Sequence, residues 1–401
     1  MYCDPRFSRV HEVFEEQFAD GGELGAAFAV YLDGELVVDL WAGVADRRTG
    51  RAWEADTPAF AYSCTKALTA AVALGVIDDV TSPVTRFWPE FATAGTTVEH
   101  LLTHQAGLPV VEDPVPVEEF ADLPAIADRL ARQRPLWEPG TAHGYHALTY
   151  GFLVGEVVRR ITGTSIGDLV AAQIAGPHEL DLWVGAPDEV IARAARLTTR
   201  AGGPPPEDRA GGPPPAGKAS APRGTAPGDE NPAQAAATPA DTPAALAALD
   251  PGSLMNRSLG NPGMHLLKGG ANHPVILRAG WPGAGVVTTA RGLAGFYRTL
   301  IAGGLLPHDR LREAVRRRVD GPDRVLLMDS AFGLGFSRPS STFLTPPKAA
   351  EAFGHGGLGG SLGLGDPSKG LACAYVMNRL AGNFTGSLRA HRLVSAVYDA
   401  L

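Results

Sequence analysis

Apolar residues recur at helical spacing near the N-terminus. Phe7, Val10, Val13, Phe14 and Phe18 share one face over residues 6–19, which predicts an amphipathic helix. Over residues 26–43 the pattern changes to alternation on either side of Asp33-Gly34. That dipeptide accepts positive φ at both turn positions, so it predicts a tight hairpin between two strands. Trp41 and Ala42 close the second strand. After a polar loop come the apolar approach Pro58-Ala59-Phe60-Ala61-Tyr62 and an unbroken run over residues 67–77, Ala-Leu-Thr-Ala-Ala-Val-Ala-Leu-Gly-Val-Ile, which predicts a buried helix.

Residues 83–183 read as mostly helical. One helix starts at Thr97-Val98-Glu99-His100-Leu101-Leu102, and another covers residues 148–160, stopped by Thr162-Gly163. Thr289 can cap a helix reaching about residue 302. Residues 332–336, 352–353 and 371–377 read as strands between Gly and Pro turns, and a last helix covers residues 385–401. Strands at both ends with helices between them predict an α+β fold. One sheet is built from both termini, and a helical region is inserted between them. The division expected is an α/β sheet domain from residues 1–62 and 281–401, and a mainly helical domain from residues 63–280.

Residues 201–245 depart from both patterns. They hold 11 of the 33 prolines, two Pro-Pro-Pro runs and no aromatic residue. Such a segment buries too little apolar surface to offset its ordering entropy. It reads as a Pro/Gly/Ala-rich disordered insertion.

Composition narrows the function classes. The chain has 401 residues, 45% of them hydrophobic, and a net charge of −8. No basic run stands out, which argues against nucleic acid as a partner. No stretch of 18 uninterrupted apolar residues is present, so no membrane span is expected. The N-terminus shows no signal pattern. Three scattered cysteines, Cys3, Cys64 and Cys373, make neither a disulfide framework nor a zinc site. Together these features read as a reduced, cytoplasmic protein. The eleven histidines show no His-Glu-x-x-His spacing, and His143 and His146 have no carboxylate partner nearby in sequence. No phosphate loop or dinucleotide fingerprint appears, so no metal and no cofactor are expected.

The candidate chemistry lies at Ser63-Cys64-Thr65-Lys66, which opens the buried helical run. With 15 serines and five lysines, about 0.2 Ser-x-x-Lys pairs arise by chance. Residues three apart on a helix share a face, so the Lys66 amine can reach the Ser63 hydroxyl. A free lysine, with a pKa near ~10.4, is in the wrong protonation state for a base at neutral pH. Burial penalises the charged form and lowers that value. A neutral Lys66 can then take the Ser63 proton and make the hydroxyl a nucleophile. The alternative is an N-capping serine followed by a lysine that runs its stem along apolar surface to water.

Two further segments accompany this motif. One is Glu138-Pro139-Gly140-Thr141-Ala142-His143-Gly144-Tyr145-His146-Ala147, and the other is Gly354-His355-Gly356-Gly357-Leu358. With Ser63-x-x-Lys66 they resemble the three active-site elements of serine β-lactamases and penicillin-binding proteins. The nearer resemblance is to the class C β-lactamase-like esterases, the family VIII carboxylesterases. The stretches Leu101-Leu102-Thr103-His104-Gln105-Ala106-Gly107-Leu108 and Tyr375-Val376-Met377-Asn378-Arg379 share it.

The resemblance implies a β-lactamase/transpeptidase-like fold with an antiparallel sheet flanked by helices. It implies Ser63 as the acylated nucleophile, Lys66 as its proton partner and Tyr145 as a proton shuttle. It also implies His355, Gly356, Gly357 and Leu358 as substrate-binding residues, with the Leu358 and Ser63 N–H groups as oxyanion donors. Two departures stand out. Ala147 replaces the asparagine of the usual Tyr-x-Asn, and His355-Gly356-Gly357 replaces Lys-Thr-Gly. Both losses favour neutral esters over carboxylate-bearing β-lactams. The function expected is therefore a serine carboxylesterase acting on small esters. β-Lactam hydrolysis or acyl transfer at the same site, or a degenerate hydrolase kept as a binding protein, are the alternatives. Gly359-Gly360-Ser361-Leu362-Gly363 matches the nucleophile-elbow pattern but lacks the strand before it and the helix after it that an elbow requires. Tyr62 and Tyr150 read as packing residues.

Overall fold

In the strand Leu371–Met377 every residue is buried, yet alternate side chains enter different cores. Leu371, Cys373, Tyr375 and Met377 join one apolar cluster, and Ala372, Ala374 and Val376 join another. A strand sealed on both faces must lie inside a sheet covered on both sides. The computed structural model describes residues 1–199, 247–248, 250–381 and 387–401, so the 201–245 insertion falls outside the described residues.

The sheet has seven strands. Across it lie Tyr2–Cys3, Glu35–Asp46, Gly25–Leu32, Leu371–Met377, Leu362–Asp366 and Phe353–Gly356, with Arg51–Ala52 on the far end of Glu35–Asp46. Every pairing is antiparallel. The Asp33-Gly34 hairpin forms as expected, with φ of 49° and 88° at its two central residues. One face packs on the terminal helices Ser8–Ala19 and Leu388–Asp399 through Phe14, Leu393 and Val397. The other packs on the helix Ala290–Ile301, whose Thr289 cap accepts the Gly292 N–H at 3.0 Å. That second cluster runs without a break from Ala372 of the sheet to Leu68 and Leu153 of the helical region.

Three expectations are corrected. Residues 83–183 hold four α-helices, Val98–Leu102, Leu123–Arg132, Thr149–Thr162 and Ile166–Val170, the first three joined by long loops, followed by the short strand Leu182–Val184. Pro109, Pro114 and Pro116 fall in the longest of those loops, where their missing N–H groups forbid a continuous helix. The strand expected over 332–336 instead covers Asp329–Phe332, and the chain then turns through Gly335 at φ 80°. The strand Leu362–Asp366 reads from its glycines as turn. Gly363 sits under the Tyr297 ring, where an added Cβ would lie 2.4 Å from a ring carbon. Glycine here marks close approach of a helix to the sheet, not flexibility.

A smaller sheet fixes the head of the next helix. Ala59–Phe60 and Leu182–Val184 both pair antiparallel with Val286–Thr288. This ties the chain entering the helix Thr65–Val76 to the segment before residue 288. The helix Thr149–Thr162 closes on the same segment, since a Cβ added at Gly151 would lie 1.9 Å from the Gly283 nitrogen. Backbone cannot yield there as a side chain would. Gly151→Ala is expected to cost about 1–3 kcal/mol through overpacking, read by urea unfolding. Unchanged stability would mean that these backbones are not in contact.

Candidate active site

Ser63 sits on the tight turn Tyr62–Cys64 that leads into the helix Thr65–Val76. Tyr62 has φ 46°, a left-handed conformation that costs a non-glycine residue on the order of 1–2 kcal/mol. Thr65 holds it. Its hydroxyl donates to the Tyr62 carbonyl and accepts the Val286 N–H at 2.9 Å. Residues 65–74 of the helix are all buried. Lys66 therefore points into protein on every side.

The Lys66 side chain is fully buried, and Nζ has three oxygen neighbours. The Ala147 carbonyl lies at 2.7 Å, the Gly283 carbonyl at 2.8 Å and Ser63 Oγ at 3.1 Å. Carbonyls only accept. A neutral amine satisfies both with its two N–H bonds and turns its lone pair to the Ser63 hydroxyl. A protonated amine satisfies all three oxygens. Either state is fully bonded, so the proton can move without rearrangement. Burial moves the amine pKa well below its ordinary value, and the neighbouring Cys64 opposes that shift only in part.

Tyr145 closes the group. Lys66 Nζ lies 4.8 Å from the centre of its ring, and Tyr145 borders the cleft together with Ser63. Burial pushes the phenol up from its usual pKa, and the neighbouring Ser63 hydroxyl opposes this only in part. Tyr145 is thus a neutral phenol rather than a standing phenolate.

Asp323, a residue that sequence reasoning missed, anchors Tyr145. Its buried carboxylate accepts the Tyr145 N–H at 3.0 and 3.1 Å, those of Val325 and Leu326 at 2.8 and 2.9 Å, and the Ser330 hydroxyl at 2.9 Å. His143 completes the cluster through Ser330 Oγ at 3.0 Å. His104, at φ 61°, accepts the His146 N–H at 3.1 Å and packs edge-on to Phe332. His146 donates Nδ1–H to the Gly144 carbonyl and accepts the Leu108 N–H. Burial pushes it down to about 4, so it is a neutral brace.

His355 and Gly356 end the strand Phe353–Gly356 and border the cleft beside Tyr145. His355 donates Nδ1–H to the Gly356 carbonyl at 2.7 Å, which leaves Nε2 as an unpartnered buried acceptor. Burial, with Lys66 nearby, pushes it down to about 3. It presents a neutral ring, not the cation of a Lys-Thr-Gly lysine. Gly357 passes against the Ala61 carbonyl, 2.3 Å from where a Cβ would sit. Its N–H and the Ser361 carbonyl close a turn at 2.7 Å that carries Leu358. Among the described residues neither the Ser63 nor the Leu358 N–H donates to a protein acceptor, and both residues border the same cleft. Ser361 is buried ahead of the strand Leu362–Asp366, with no helix after it, so no elbow forms. Among the described residues no three His, Cys, Asp or Glu side chains gather as a metal site.

An antiparallel sheet with the terminal helices on one face and Ala290–Ile301 on the other, with serine and lysine one turn apart at the head of a buried helix, has the β-lactamase/transpeptidase-like architecture. A beta-lactamase family model matches residues 10–398, and the chain belongs to that family. It is 34% identical over 397 residues to an esterase/beta-lactamase, LipL, of Mycobacterium tuberculosis, a match covering 94% of this chain and 82% of that one. A family VIII carboxylesterase of known structure is 31% identical, with a TM-score of 0.81, over 100% of this chain and 99% of the other. A penicillin-binding protein homologue from Caulobacter crescentus is 35% identical, with a TM-score of 0.78 and the same coverage.

Asp323→Ala would strand three backbone N–H groups and the Ser330 hydroxyl. At about 1–3 kcal/mol for each unmade buried bond, a loss of at least ~3 kcal/mol is expected in urea unfolding. Asp323→Asn, which keeps an acceptor, should fall between that variant and the parent. Stability within about 0.5 kcal/mol of the parent for the alanine variant would remove Asp323 from this role.

Proposed function

We propose that the chain is a serine carboxylesterase that cleaves small, uncharged esters through an acyl-Ser63 intermediate. One observation carries this reading. The amine of Lys66 is sealed from water 3.1 Å from Ser63 Oγ, with two carbonyls as its other partners. Lys66 Nζ takes the hydroxyl proton while Oγ bonds the ester carbon. The carbonyl oxygen becomes an oxyanion between the Ser63 and Leu358 N–H groups. One such donor is typically worth about 2.7–4 kcal/mol. The tetrahedral species then expels the alcohol. Tyr145 gives its proton to the leaving oxygen and recovers one from the Lys66 ammonium. Water repeats the sequence on the acyl-enzyme, and its proton returns through the same groups to Ser63.

The lining of the cleft supports neutral substrates. Ala147 brings no amide, His355 is uncharged, and among the described residues no lysine or arginine borders the cleft apart from Lys66, which is buried behind Ser63. A β-lactam carboxylate finds no cation there. Among the described residues no helix is long and apolar enough to cross a membrane. A cytoplasmic location is part of the same reading, supported by three cysteines that are all free thiols.

Two assays test the proposal. p-Nitrophenyl butyrate is expected to turn over faster than a chromogenic cephalosporin, and equal or greater cephalosporin turnover would reverse that preference. A fluorophosphonate probe followed by peptide mass spectrometry should label Ser63. Labelling at Ser361 instead would overturn the nucleophile, and no labelling at all would favour a binding protein.

A further inference from the structure

The space around Ser63 has two lobes. The first is bordered by Tyr145, His355, Phe332, Leu326 and Thr342. The second is bordered by Tyr62, Leu148, Met264, His265 and Ala271. Four residues border both: Ser63, Ala147, Leu259 and Leu358. These four form the neck where the ester carbon must sit to meet Ser63 Oγ.

We infer that the second lobe holds the acyl arm, the first holds the alcohol arm, and Leu259 is the side chain that separates them. The inference rests on the proposed esterase reading and adds the direction of the substrate. An ester carbon carries two arms, and only one leaves on an oxygen that needs a proton. Tyr145, the donor of that proton, borders the first lobe and not the second. The leaving alcohol therefore occupies the Tyr145 lobe, and the acyl chain stays in the Met264 lobe after the alcohol has gone. Apart from Ser63 and His265, the second lobe is bordered by aliphatic residues and Tyr62, which suits an unbranched aliphatic acid. The first also carries the hydroxyls of Ser258, Ser337 and Thr342.

Leu259 is braced to act as a fixed divider. It lies on the helix Leu254–Gly260, whose Ser253 cap accepts the Asn256 N–H at 3.2 Å. Beyond the helix the Asn261 amide donates to the carbonyls of Val111 and Asp113, both at 2.8 Å, and accepts the Val115 N–H at 3.0 Å. Arg257 pairs with Glu112 on the same loop. The divider is thus tied to residues 111–115 rather than to the sheet that carries Leu358.

Two ratios of kcat/KM read the assignment. p-Nitrophenyl octanoate over p-nitrophenyl acetate varies only the acyl arm, and 2-naphthyl acetate over ethyl acetate varies only the alcohol arm. Met264→Trp is expected to lower the first ratio about tenfold or more, the scale of a few methylenes in an apolar pocket, and to move the second less than twofold. Leu326→Trp should do the reverse. The crossed pattern, or equal shifts of both ratios in both variants, would overturn the assignment. Should either tryptophan variant fail to fold, Met264→Ala and Leu326→Ala read the same ratios, each expected to rise in the lobe it enlarges. Undiminished ester hydrolysis by Ser63→Ala would instead overturn the esterase reading itself, which keeps the two failures distinct.

Discussion

An amine cut off from water governs this molecule. Lys66 gains nothing from solvation, so the neutral form is favoured at a pH where an exposed lysine is charged. Everything close to it serves that state. Two carbonyls take its N–H bonds and direct the remaining lone pair at a hydroxyl. A carboxylate within reach would instead hold the amine in its charged form. The acidic group of the region, Asp323, spends its lone pairs on the backbone around Tyr145 and on Ser330.

The fold exists to bring three distant parts of the chain to that amine. The helix after Ser63 supplies the lysine, the loop at 145–148 supplies one carbonyl and the phenol, and Gly283 supplies the other carbonyl. Close backbone approaches make this possible. Gly151 lets the helix Thr149–Thr162 settle on Gly283, and Gly357 lets the edge of the large sheet pass against Ala61. The left-handed turn at Tyr62 is part of the same economy, since it aims Ser63 into the cleft at a backbone cost that Thr65 offsets.

What could be read from the sequence follows from how local each feature is. Ser63 and Lys66 meet across one helical turn, so their spacing alone foretold their contact. The Asp33-Gly34 hairpin, the Thr289 cap and the Gly163 stop, at φ 74°, are equally local. The loops within 83–183 were hidden because apolar spacing cannot distinguish a buried loop from a helix. The strand Leu362–Asp366 was hidden because Gly363 answers to the Tyr297 ring, which lies far away in sequence. Gly283 acts through a carbonyl that every residue possesses, so no residue type could reveal it. Asp323 follows Gly321-Pro322, a pair that in sequence reads like any surface turn until the Tyr145 backbone is placed beside it. The partition of the cleft by Leu259 depends on a helix that follows the segment whose composition differs most from the rest.

The most direct test follows the lysine itself. The chain has only five lysines, so Nζ-¹⁵N labelling and an NMR pH titration can resolve each one, with Lys66→Arg to assign the signal. The resonance lost in the variant should report a neutral amine at pH 7, well below the ordinary lysine value of about 10.4. A Lys66 resonance that titrates near that ordinary value would contradict the account.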